Sequence, residues 1–104
     1  MRKKYSYKKD IFQKGRAILE RNHSSILPRI LPGGKVIGNE YVATNPNRAD
    51  KHLGSFKFNL RTGKWCEFAE GIGGNDIISF YAYLSRKSQK EALLELLDII
   101  GERI

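Results

Sequence analysis

Three carboxylates, Glu67, Glu70 and Asp76, fall close together around a glycine cluster of Gly71, Gly73 and Gly74. Carboxylates at such spacing can hold a hard cation. A glycine-rich loop ahead of a helix can also cradle phosphate on the helix N-terminus. Neither pattern is complete here. The loop lacks the Lys-Ser/Thr of a P-loop and the βαβ setting of a dinucleotide site, and acids on both sides of it repel phosphate. No Asp-x-Asp pair accompanies the carboxylates, and an ion pair of Arg48 with them is the simpler role. Cys66 is the single cysteine, which excludes an internal disulfide and a cysteine-based zinc site. Its acidic neighbours disfavour a thiolate. His23 has no Cys or His partner at ligand spacing and reads as a loop histidine. The expectation is a non-enzyme with no catalytic residues, no cofactor and no metal.

A different chemistry is better supplied. Arg48, Lys51, Lys57, Arg61 and Lys64 seek phosphate, and Trp65 beside them is a ring on which a base could stack. The same Trp65 is equally at home in a core, next to a Phe-rich strand. The formal net charge is +8 and is unevenly spread. Residues 1–35 carry ten bases and two acids, 36–68 five and three, and 69–104 four and six. A basic front and a neutral-to-acidic rear suit a polyanion bound by one half and packing or protein contact by the other.

These residues need a scaffold, and 104 residues with 40% hydrophobic content suffice for one domain with a modest core. No apolar run reaches the roughly 20 residues of a membrane span, and the basic N-terminus lacks the apolar segment of a secretory signal. A cytoplasmic location is expected. Residues 1–9 read as a flexible basic tail, and 10–31 as a helix and connector. Asp10 is the expected N-cap, Ile11, Ile18 and Leu19 the apolar side, and Ile26 to Leu31, broken by Pro28, the connector. Residues 32–69 read as a β-sheet. Pro32-Gly33-Gly34-Lys35 is a turn, Val36–Gly38 and Glu40–Thr44 form a hairpin, and Asn45 to His52 is a loop. A second hairpin alternates Phe56, Phe58 and Leu60 with Ser55, Lys57 and Asn59. It turns at Gly63, and its second strand sets Trp65 and Glu67 on one face against Cys66 and Phe68 on the other. Residues 70–101 read as the glycine loop and two helices. Asn75 or Asp76 caps the first; Ser88 with Glu91 forms a capping box for the second, closed by Gly101. The class is α+β, a small antiparallel sheet with one N-terminal helix and two C-terminal helices.

The order of small motifs resembles a known family. Asn45-Pro46-Asn47-Arg48, Gly54-Ser55-Phe56, Thr62 to Gly71 and Gly73 to Phe80 resemble the N-terminal zinc-ribbon domain of bacterial and phage DNA primases. In register, the family's four metal positions fall on Asn45, Arg48, Glu67 and Glu70. Both pairs keep their two-residue gap, but the residues are not zinc ligands, so the metal does not carry over. The chain is more similar to a zinc-less version of that domain at the front of phage and mobile-element primase–helicases. Leu31-Pro32-Gly33-Gly34, Glu40-Tyr41-Val42, Asn45 to Asp50 and Gly54 to Lys57 match it in order, over about residues 31–101.

The resemblance implies a zinc-ribbon-like sheet without metal and a module that engages single-stranded DNA in replication, with polymerising chemistry in a separate domain. It implies a replicative helicase or primase catalytic domain as partner; the nucleic-acid contacts expected from the chain's own charge and ring are Arg48, Lys51, Lys57, Arg61, Lys64 and Trp65. Arg48 facing Glu67 and Glu70 would replace the metal in holding the ribbon. Two other readings stand beside this one. The acidic helical rear could dock a helicase or polymerase partner, or Glu67, Glu70 and Asp76 could work with a divalent ion.

Overall fold

The computed structural model describes residues 4–45 and 55–102. The elements in chain order are α1 (Lys4–Glu20), α2 (His23–Ile30), β1 (Lys35–Ile37), β2 (Glu40–Ala43), β3 (Phe56–Asn59), β4 (Trp65–Glu67), β5 (Ile72–Gly74), α3 (Ile77–Ser85) and α4 (Gln89–Ile99). The class is α+β, with a helical pair before the sheet and another after it. The five strands form an antiparallel meander in the order β1-β2-β3-β4-β5. Among the described residues, no helix is long and apolar enough to cross a membrane.

Both expected hairpins are present. Val36 pairs with Tyr41 across the first, and Phe58 with Trp65 across the second. The second turn is built by Asn59, whose Oδ1 accepts the backbone N–H groups of Arg61 and Thr62. Gly63 then takes φ +82, a conformation that glycine adopts without strain. Both C-terminal helices start where their caps predict. Asp76 accepts the Ser79 N–H at 2.8 Å, and Ser88 and Glu91 satisfy each other's backbone N–H groups.

Three expectations are corrected. The first helix begins at Lys4 and runs through Asp10, so Asp10 is not its cap and residues 4–9 are helix rather than tail. The connector holds a second N-terminal helix, α2, despite Pro28. Its buried face of His23, Ile26 and Leu27 stabilises it, while Pro28 lies exposed within two residues of its end. The glycine loop contains β5, which extends the sheet beyond residue 69. Gly74 is required there because a Cβ would stand 2.6 Å from both the Trp65 indole nitrogen and the Ser79 hydroxyl. Close packing over Trp65, not phosphate, accounts for that glycine.

One apolar core lies between the inner face of the sheet and the helices. Phe56, Phe58 and Trp65 project into it against Phe80, with Leu19, Ile26, Leu93 and Leu96 from the surrounding helices. Two long-range polar ties bind front to rear: Arg16 pairs with Asp76 at 3.0 Å, and Arg29 donates to the Ile99 carbonyl at the C-terminal end of α4.

His23 is part of this packing and not a loop residue. It is buried, its Nδ1–H donates to the Leu60 carbonyl at 2.8 Å, and its ring meets Phe58 edge-on at 5.0 Å. Its Nε2 is buried without a hydrogen-bond partner among the described residues. Replacing His23 with alanine removes the tie between α2 and the β3–β4 turn and leaves a cavity. The expected loss is about 2–3 kcal/mol in urea denaturation. A change below about 0.5 kcal/mol, the range of ordinary surface substitutions, would show that this contact carries no weight.

Candidate nucleic-acid interface

Strand register decides which residues can meet a ligand. Phe58 faces Trp65 and Phe56 faces Glu67, so these four side chains share the inner face. Val42, Lys57 and Cys66 stand opposite one another on the outer face, with Glu40 paired to Asn59 in the next outward row. Lys64 and Phe68 flank Cys66 two residues either side and point the same way.

The Trp65 ring therefore projects to the side of the sheet opposite Lys57, although the residue also borders the trough that holds Lys57 and Lys64. Trp65 is 6% exposed, stacked on Tyr83 at 5.6 Å and met by Phe80 at 5.3 Å, and its indole N–H donates to Ser79 Oγ at 2.9 Å. Both its apolar body and its polar tip are used in the core. In this structure the ring is packed in the core, the alternative placement that the sequence left open for it.

The aromatic group on the outer face is Phe68, 59% exposed, with the Lys57 ammonium 5.5 Å from its ring centroid. Phe68, Lys57, Lys64, Asn59, Glu40 and Cys66 line an open trough of about 580 Å³ across β2, β3 and β4. That volume falls within the ~300–1,000 Å³ of small-molecule sites. Arg61 is exposed in the turn at its end. Burial, then the Glu40 carboxylate, push the Cys66 thiol above its ordinary range, while Lys57 acts in the other direction. At neutral pH Cys66 is a thiol and a poor nucleophile. Of the six residues expected to bind nucleic acid, Lys57, Lys64 and Trp65 border the trough, and Arg61 is exposed in the adjoining β3–β4 turn. Arg48 and Lys51 lie outside the described residues.

The four positions that the resemblance sets at metal ligands are brought together in part, Arg48 lying outside the described residues. Glu67 is fully buried; its Oε1 accepts the Glu70 N–H at 2.6 Å, and Asn45 Nδ2 stands 3.4 Å from its Oε2. The two-residue gap between Glu67 and Glu70 is thus spanned by a local carboxylate-to-amide bond. Asp76 is elsewhere, committed to the Ser79 N–H and Arg16. The three acids do not converge, and among the described residues no group of three His, Cys, Asp or Glu is placed to hold a metal ion.

Phe68 and Glu40 are trough residues that sequence reasoning did not single out. The signal for Phe68 was present, since strand alternation sets it with Cys66 and opposite Trp65. Glu40 becomes visible only once the register places it beside Asn59. No family model, curated protein or solved structure matches this chain.

Proposed function

We propose that this chain is a non-catalytic module that binds single-stranded DNA, of the type found at the template-engaging end of DNA primases in phage or mobile-element replication. The observation that carries the reading is the outer sheet face, where Lys57, Lys64 and the exposed ring of Phe68 adjoin one trough, with Arg61 at its end. Charge to follow a phosphate backbone beside a ring on which bases stack is the combination that single-strand binding uses. The kinship with a zinc ribbon is supported by Asn45, Glu67 and Glu70 meeting at three of the four knuckle positions.

The test is fluorescence anisotropy of a labelled oligonucleotide between 50 and 200 mM salt. Five phosphate contacts on a single strand correspond to a log–log slope of about −3.5, or a roughly hundredfold loss of affinity over that range. The triple variant K57A/R61A/K64A is expected to flatten the slope by about 2. Salt-independent binding, or no binding at low salt, would refute the proposal. A partner protein captured with the oligonucleotide site left empty would instead favour docking through the helical rear.

A further inference from the structure

A carboxylate is out of place on a surface meant for phosphate, and Glu40 stands among Lys57, Lys64 and Phe68 in the outer trough. One of its roles is visible: Oε2 accepts from Asn59 Nδ2 at 3.0 Å, bracing the residue that builds the β3–β4 turn. That bond uses one of about four lone-pair positions on the carboxylate, and it also fixes the direction in which the group points. Glu40 is half-buried, so its remaining acceptors lie at the trough wall rather than on a freely rotating surface chain.

We propose that Glu40 makes this trough selective for guanine. The inference rests on the single-strand reading above and adds a base preference to it. In an unpaired strand the Watson–Crick edge is open to side chains. Guanine alone among the four DNA bases presents two adjacent donors there, N1–H and the 2-amino group. Both can reach the two oxygens of one carboxylate, the same fork geometry that pairs guanidinium with carboxylate. Cytosine and adenine offer a single amino group, and thymine a single N3–H. With Phe68 stacking one base and Lys57 and Lys64 on the phosphates, Glu40 reads the edge of a neighbouring base that lies over the Glu40–Asn59 pair in the same trough.

The experiment uses the full chain and four labelled thymine-rich 12-mers differing at one central position, measured at about 50 mM salt. A bidentate pair discriminates by roughly tenfold or more, so the dG oligomer is expected to bind about tenfold tighter than the dT oligomer. Replacing the central guanine with hypoxanthine, which keeps N1–H and lacks the 2-amino group, is expected to remove most of that advantage without altering the protein. Glu40→Gln, checked for an unchanged melting temperature, is expected to bring the dG-to-dT ratio close to one. Equal affinity for all four oligomers, hypoxanthine bound as tightly as guanine, or a preference retained by Glu40→Gln would each overturn the proposal while leaving single-strand binding intact. Absence of binding to every oligomer would overturn both.

Discussion

Trp65→Ala is expected to destabilise the fold by about 3–5 kcal/mol, the range for removing a buried tryptophan. The indole touches Phe56, Phe80 and Tyr83 and holds Ser79 through its N–H. Domains of this size are stable by only about 5–15 kcal/mol, so the variant should sit near unfolding at physiological temperature. Trp65→Phe keeps most of the ring contacts and loses the Ser79 bond, and should cost less than the alanine variant. Urea denaturation of the two variants, with far-ultraviolet circular dichroism, measures both. Oligonucleotide affinity of folded Trp65→Phe should match the parent chain. A well-folded Trp65→Ala that has lost DNA binding would restore the ring to the interface and undo the assignment to the core.

Phe68→Ala should show the opposite pattern. An exposed ring removed from a strand end changes stability by no more than about 0.5 kcal/mol. Stacking is worth about 1–3 kcal/mol per base, so the affinity for a single strand should fall by between five- and 150-fold. Anisotropy titration beside a thermal melt separates the two effects. If the variant bound as tightly as the parent, the outer trough would not be where bases lie. The pair of variants thus locates the binding face: loss of stability on one side of the sheet, loss of affinity on the other.

Side-chain chemistry close in sequence was readable before the structure, and chemistry set by pairing across strands was not. Asp76 and Ser88 announce their helices because a cap is satisfied within three residues. The two hairpins follow from alternation and turn residues, and that alternation already separated Trp65 from Phe68. The step from alternation to face needed the partner strand, because Phe58 opposite Trp65 and Lys57 opposite Cys66 determine which side is buried. α2 was hidden by Pro28, whose cost is overcome by burying Ile26 and Leu27, a tertiary gain that local propensity does not register. β5 was hidden because glycine has little strand preference. Its backbone is held by pairing with β4 and by the fit over Trp65. His23, with no ligand-spaced partner, revealed nothing until Leu60 came within 2.8 Å.

The ties between Arg16 and Asp76, and between Arg29 and Ile99, have a bearing on how the protein is made. Each strand pairs with the next along the chain, so every strand pairing is local in sequence, the β2–β3 connection over residues 44–55 being the longest. The apolar side of α1 has no such near neighbour. It packs against α3 and α4, and so must wait through most of synthesis with its leucine and isoleucine side chains uncovered. A chain halted before Ser88 lacks α4, so the apolar side chains that α1 and α3 pack against it stay uncovered, a condition that favours aggregation. Completion of α4 is the event that converts a local fold into a global one.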